Sequence, residues 1–297
     1  MTNTSFLSGR TAIITGAGQG LGRAHALEFA RLGANVVVND WSAESAEAVA
    51  EEIRAAGGQA VASSGDVADW AYGEELIKTA VDTFGGLDAL VNNAGINRDR
   101  MLANMSEDEW DAVMNVNLKG HFVPMRHACA YWRDEAKAGN PREARIVNTS
   151  SGAGLMGSVG QGNYAAAKAG IVALSQVAAV EWGRYGIKIN AIAPSARTPM
   201  TTAVPAMAEM MAAPESGFDA MDPANVSPLV AWLASAEAQI TGRVFEVEAD
   251  QVSLADGWQH GTPAKAGDRR WEAAELTEVV AKLEAEGPKP APVYGAQ

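Results

Sequence analysis

Cysteine is almost missing from this chain of 297 residues, with Cys129 standing alone. That excludes an intramolecular disulfide framework and a cysteine-rich metal site. Histidine is nearly as scarce. His25, His121, His127 and His260 are scattered without metal-ligand spacing, so no metal is expected. Basic residues fall short of acidic ones, 23 Lys and Arg against 36 Asp and Glu. The resulting net charge of −13 argues against nucleic acid or an anionic membrane as partner. No apolar run is long enough to cross a bilayer, and Met1–Arg10 shows no signal-peptide pattern. The expectation is a cytoplasmic protein.

What is present is a chain with 47% hydrophobic residues, enough to bury a sizeable core as one unit. Strand-like apolar runs fall near 11–15, 35–39, 59–63, 88–92, 145–149, 187–192 and 243–247, with helix-length amphipathic segments between them. Such alternation predicts an α/β fold, a doubly wound seven-stranded parallel sheet with helices on both faces. The principal domain is expected over 1–258. Residues 259–297 form an extension, with one amphipathic helix from Asp268 to Glu286 and a Pro-rich end, Gly287 to Pro292, expected to be extended or disordered.

The run Thr11 to Thr15 leads into Gly16-Ala-Gly-Gln-Gly20-Leu-Gly22, and a helical pattern then continues through Ala24, Leu27, Phe29, Ala30 and Leu32. Strand, glycine turn and helix in that order make a phosphate site. Glycines permit a tight turn and close approach, and the helix N-terminus favours an anion. A second strand, Asn35 to Asn39, ends at Asp40, eighteen residues beyond Gly22. A dinucleotide fold places its ribose-reading carboxylate there. Asp40 would accept from the adenosine hydroxyls and repel a 2′-phosphate, and no Lys or Arg occupies 38–43. NAD is therefore expected over NADP; the alternative is an Asp that merely ends a strand.

Tyr164 and Lys168 are four apart in an Ala-rich helical run, with Ser151 thirteen residues upstream of the tyrosine. Both side chains then leave one helix face. A phenol ordinarily titrates near pH ~10, and an ammonium one turn away stabilises the phenolate and brings it toward working range. A nearby serine hydroxyl could hold a carbonyl or alcohol oxygen. Taken alone, the Tyr-x-x-x-Lys spacing is common, and a packed tyrosine beside a solvated lysine fits it too. Two more segments accompany it. Small residues Asn93-Ala94-Gly95 follow an apolar strand and allow close approach of a ligand. Asn115 and Asn117 interrupt what otherwise reads as one helix from Asp108 to about Lys137, which points to a kink or a buried polar contact, with surface placement of either the alternative.

These parts together resemble the short-chain dehydrogenase/reductase family over residues 8 to 250. The resemblance rests on Thr15-Gly-x-x-x-Gly20-x-Gly22, Asp66-Val67, Asn92-Asn-Ala-Gly95, Asn117, Ser151 and Tyr164-x-x-x-Lys168. It implies a single-domain Rossmann fold. It further implies Tyr164 as general acid/base, Lys168 as the group that tunes it and binds the nicotinamide ribose, and Ser151 as the hydroxyl that orients the substrate oxygen, with Ser150 the neighbouring alternative. Asn117 would hold a water linking Lys168 to solvent. Cofactor contacts are implied at Gly16, Gln19, Gly20, Leu21, Gly22, Asp40, Asp66, Val67, Asn93, Ala94, Gly95, Tyr164, Lys168, Pro194 and Thr198, with Ile192 another candidate. Where the family has Pro-Gly, this chain has Pro194-Ser195, which puts the geometry of that loop in question. The family also implies homo-oligomers, a tetramer or a dimer.

A narrower resemblance, to the (3R)-hydroxyacyl-CoA dehydrogenase unit of peroxisomal multifunctional enzymes, rests on Asn93 to Met101, Ser106 to Trp110, Val226 to Leu233 and Gly242 to Val247. That group overlaps with bacterial hydroxysteroid dehydrogenase homologues. Arg98 and Arg100 could meet CoA phosphates or serve solubility alone. Met200, Met207, Met210, Met211 and Met221 crowd 198–222; methionine suits an adaptable lid over a bulky apolar substrate, or a helix packed for stability. The expected activity is NAD-linked interconversion of a secondary alcohol and a ketone on such a substrate, foremost a 3-hydroxyacyl-CoA. The alternatives are a hydroxysteroid dehydrogenase, a 3-oxoacyl thioester reductase and, last, a non-catalytic dinucleotide sensor.

Overall fold

The computed structural model describes residues 5–203, 205–255, 257–288 and 291–295, the side chain of Ala206 excepted. Met1 to Thr4 of the leading segment, and Lys289 and Pro290 of the Pro-rich end, lie outside the described residues. The first half alternates β1 (Thr11–Ile14), α1 (Gly20–Arg31), β2 (Asn35–Asp40), α2 (Ala43–Ala55), β3 (Gln59–Ser64) and α3 (Trp70–Phe84). Then come β4 (Ala89–Asn92), α4 (Glu107–Val113), α5 (Gly120–Lys137), β5 (Arg145–Thr149), α6 (Gly152–Met156), α7 (Gly162–Trp182) and β6 (Lys188–Ser195). Last are α8 (Pro199–Thr202), α9 (Pro205–Met210), α10 (Ser227–Leu233), β7 (Val244–Glu248), β8 (Gln251–Leu254) and α11 (Leu276–Glu286).

The strands form one sheet in the order β3-β2-β1-β4-β5-β6-β7-β8. Pairings from β3 to β7 are parallel, and β8 lies antiparallel on β7. The count is therefore eight where the sequence suggested seven. Ala249 and Asp250 reverse the chain in two residues, with Ala249 at φ 53°. Tight hairpins normally announce themselves with Gly or Asn at that position, and β8 is exposed throughout, so neither turn chemistry nor an apolar run marked it.

Alternate side chains feed the two faces, as the strand pleat requires. Ile14, Val36, Val38 and Val91 pack with Phe29 of α1, Val49 and Ile53 of α2 and Val230 of α10. Ile13, Val37 and Leu90 pack on the other face with Leu76 of α3 and Met125 and Trp132 of α5. The strand order reverses at β1, with β2 on one side and β4 on the other. Parallel sheets of this kind open a crevice there, beyond the strands' carboxyl ends.

Two local features position the site. Between α4 and α5, Met114–Lys119 winds as a π turn, the distortion that the paired asparagines predicted. At the carboxyl end, the helix expected from Asp268 begins only at Leu276, after a 3-10 turn at Ala273–Glu275. The tail returns to the body, where the Val159 N–H donates to the Tyr294 carbonyl at 2.9 Å. Among the described residues no helix is long and apolar enough to cross a membrane.

Candidate active site

A cleft of about 760 Å³ opens at that crevice. Its floor is the glycine turn. Gly16 and Gly20 take φ of 61° and 55°, and a Cβ on Gly16 would stand 2.7 Å from the Ala94 Cα. Only glycine fits both demands. Gly22 does not line the cleft; a Cβ there would lie 2.1 Å from the Gly16 carbonyl oxygen, so it serves the packing of α1 against the turn. Gln19 caps α1 without a side-chain hydrogen bond, leaving the first-turn N–H groups available to an anion. At the end of β2 the Asp40 carboxylate accepts the Gly18 N–H at 2.9 Å and the Ser42 N–H at 3.0 Å. Its position on the cleft wall is thereby held from both sides.

Asp66 and Val67 follow β3 onto the wall, and Asn93, Ala94 and Gly95 follow β4. The Asn93 amide is spent on the turn itself, donating to the carbonyls of Thr15 and Gly16 at 3.0 and 3.2 Å. Pro194 and Thr198 line the far end. Ser195 extends β6 opposite Glu248 of β7, so the strand continues through the position where the family has glycine. Ile192 is buried in the core and does not line the cleft.

Ser151, Tyr164 and Lys168 stand together on the remaining wall. Lys168 is buried on α7, with its Nζ 5.5 Å from the centre of the Tyr164 ring. Nζ donates to the Thr149 carbonyl at 2.7 Å. Burial pulls the lysine down to about 7. Burial pushes the Tyr164 phenol up, and a hydrogen bond with Ser151 opposes that shift. The sequence argument expected the ammonium to lower the phenol; here the loss of water around the ring pushes it up, and the opposing contribution comes from Ser151. Ser151 caps α6 and lines the cleft, while the Ser150 hydroxyl turns away and donates to the Lys168 carbonyl at 2.8 Å. Asn117 lies behind the wall, not on it. Its amide donates to the carbonyls of Ile96 and Val113 at 2.7 and 3.0 Å, and its Oδ1 faces Gly95.

Of the crowded methionines, Met200 and Met211 line the cleft while Met210 points to solvent. Arg98 reaches the mouth, whereas Arg100 is paired with Glu109 at 2.9 Å. Trp41 and Thr149 also belong to the site and escaped the sequence reading. Trp41 directly follows Asp40 and could have been found by extending that strand one residue. Thr149 acts through its backbone carbonyl, which no side-chain motif reveals.

The model for short chain dehydrogenase matches residues 10–209. Hydroxyacyl-CoA dehydrogenase ChsB1 of Mycobacterium tuberculosis is 52% identical over 93% of this chain and 89% of its own. The mouse peroxisomal multifunctional enzyme type 2 is 42% identical over 92% of this chain, which spans 34% of that longer protein. A 3-oxoacyl-[acyl-carrier-protein] reductase of Synechocystis is 39% identical over 83% of this chain and 98% of its own. A solved short chain dehydrogenase from Mycobacterium avium superposes with a TM-score of 0.89 at 56% identity, covering 98% of this chain and all of the other. The family implies a nicotinamide dinucleotide cofactor, and the residues fit one: a glycine cradle, an uncapped helix N-terminus and a carboxylate at the ribose position. The chain belongs to the short chain dehydrogenase family and is an oxidoreductase acting on hydroxyl groups.

Proposed function

We propose that this protein oxidises the 3-hydroxyl of a 3-hydroxyacyl-CoA to a ketone with NAD. The observation that carries the chemistry is the meeting of Ser151, Tyr164 and Lys168 on one cleft wall. A nicotinamide dinucleotide, when held by the glycine turn and Asp40, would supply the hydride acceptor or donor. Ser151 holds the substrate oxygen beside the Tyr164 hydroxyl. Tyr164 as phenolate takes the hydroxyl proton during oxidation and returns it during reduction. Lys168, close to the ring face, stabilises that phenolate when charged. Asn117 holds its partner groups behind Lys168. Asp40 supports NAD over NADP, because a carboxylate at the ribose repels a 2′-phosphate.

The substrate class rests on the cleft's other features. Met200 and Met211 give it an adaptable apolar lining. Arg98 at the mouth has the Asn97 carbonyl as its hydrogen-bond acceptor and no carboxylate, and is placed to meet a CoA phosphate, as Arg100 is not. The relatives named for hydroxyacyl-CoA and for peroxisomal multifunctional activity agree with this reading. A hydroxysteroid is the second class, favoured by the same methionine lining. We further propose a homo-oligomer. An open hollow of about 1100 Å³, lined by α7 on one side and by α4, the π turn and Phe122 on the other, suits a second copy.

The test is NADH formation from a medium-chain 3-hydroxyacyl-CoA with NAD, with NADP and a hydroxysteroid run in parallel. Turnover with NAD on the thioester supports the reading, and Arg98→Ala then raises KM for the CoA ester about tenfold. Because oxidation needs the phenolate and burial raises the phenol, its rate climbs with pH, while reduction, which needs the phenol, does not. Turnover only on the steroid selects the second class. Unchanged turnover by Tyr164→Phe overturns the mechanism.

A further inference from the structure

The loop that carries Arg98 is fastened, residue by residue, to the chain just ahead of Tyr164. The Asn163 amide, one residue before Tyr164 on α7, donates to the Arg98 carbonyl at 3.1 Å. Gln161 Nε2 donates to the two Asp99 carboxylate oxygens at 3.2 and 3.1 Å. The Arg100 N–H donates to the Gly160 carbonyl at 2.7 Å. Leu102 closes the same seam against Gly162, where a Cβ would lie 2.2 Å from the Leu102 Cδ2.

Asn163 is the centre of this seam, and it is fully buried. Its Nδ2 reaches a second carbonyl, that of Glu109 on α4, at 3.0 Å. Its Oδ1 accepts the Tyr164 N–H at 2.8 Å. Both donors and the acceptor of the amide are therefore occupied. A fully paired buried amide fixes geometry more closely than an apolar side chain of its size, because each bond has a direction and losing one strands a buried carbonyl. The Asp99 and Arg100 side chains are held as well, the first by Gln161 and the second by Glu109 at 2.9 Å. Arg98 differs from both. Its backbone is fixed while its side chain lines the cleft, with the Asn97 carbonyl as its acceptor.

We propose that Asn163 is a positioning residue for substrate specificity. It holds the Arg98 loop in register with Tyr164, so that the phosphate-bearing end of a CoA thioester meets Arg98 while the 3-hydroxyl meets Tyr164. The inference rests on the roles of Arg98 and Tyr164 proposed above. A contact far from the reacting carbon helps only when the protein already holds the two ends at the separation the substrate has. A loop left free would have to be ordered on binding, and that ordering opposes the affinity gained. The seam orders the loop in advance.

Two thioesters of one 3-hydroxy acid separate this role from a structural one: the CoA ester, and the N-acetylcysteamine ester, which has no phosphate. Asn163→Asp keeps the acceptor for the Tyr164 N–H and removes the amide that donates to Arg98 and Glu109. It is expected to raise KM for the CoA ester about tenfold, with kcat on both esters and KM for the truncated one within about twofold. Added to Arg98→Ala it gives no further rise on the CoA ester, because the two changes act through one contact. An equal change on both esters, a fall in kcat on both, or an unmoved KM for the CoA ester overturns the proposal. Should the Asp variant fail to fold, Gln161→Leu takes its place on the exposed side of the seam, where it releases Asp99 alone. That variant is expected to raise KM for the CoA ester about threefold and leave the truncated ester unmoved; equal effects on the two esters again overturn the proposal. Arg98→Ala by itself keeps the two levels apart. If it leaves KM for the CoA ester unchanged, the reading of Arg98 as a phosphate contact falls, and this proposal with it. If Arg98→Ala raises that KM and Asn163→Asp does not, the role of Asn163 alone is overturned.

Discussion

At the scale of single residues, the cleft separates groups that meet a ligand from groups that hold those groups. Asp40, the proposed ribose contact, lines the cleft, and its carboxylate is fixed by the Gly18 and Ser42 N–H groups. Replacing Asp40 with Ala is expected to cut kcat/KM with NAD by roughly 100-fold, the loss of charge-assisted hydrogen bonds to two hydroxyls. NADP loses its electrostatic opponent at the same time, so the NAD/NADP ratio, measured by steady-state kinetics with each cofactor, collapses toward unity. A ratio that stays high would move the discrimination to another residue. Asp40 and the Ser151, Tyr164 and Lys168 set were legible in the sequence because their chemistry sits in the side chain and their spacing is local. Trp41 and the Thr149 carbonyl were not. Their part depends on what faces them across the sheet edge.

At the scale of elements, the strand–turn–helix unit at β1 and α1 joins fold and function. Gly22 is there for packing, since the Gly16 carbonyl leaves no room for a Cβ at 2.1 Å. Gly22→Ala is expected to destabilise the protein by roughly 2 kcal/mol and to weaken NADH binding more than that loss explains, because the turn that cradles the pyrophosphate must move. Urea unfolding and a fluorescence titration with NADH check the two parts separately. The π turn follows the same logic. Asn115 and Asn117 signalled a disturbed helix, and the disturbance aims the Asn117 amide at the carbonyls of Ile96 and Val113. Its direction was not readable from spacing, because a kink has many possible orientations and only contact with the Ile96 loop selects one.

At the scale of the whole molecule, the two faces of the sheet are closed differently, and one closure carries a pH dependence. His25 of α1 is fully buried against α10, with Nδ1 at 2.9 Å from the Ser227 hydroxyl. Burial holds it down to about 3, against 6.5 ordinarily. In the unfolded chain it binds a proton as pH falls below 6.5, which the folded protein resists until about 3. Stability is therefore complete above the upper value and falls as pH drops through that window, by about 2 kcal/mol at pH 5 from this residue. Thermal unfolding between about pH 7 and pH 5 measures it, and His25→Asn is expected to flatten the slope. An unchanged slope would place the acid sensitivity elsewhere. The sequence by itself determined the α/β alternation, the glycine turn, the carboxylate that ends β2 and the local spacing of Ser151, Tyr164 and Lys168, since periodicity and short spacings encode them directly. Only the tertiary structure decided that the Ser150 hydroxyl is spent on the Lys168 carbonyl, that Ile192 belongs to the core, that an eighth strand closes the sheet edge, and that Arg98 lines the cleft while Arg100 pairs with Glu109. Each of those outcomes turns on which partner lies across a long loop, and the partner is chosen by burial and hydrogen bonding summed over the whole fold, not by the neighbours along the chain.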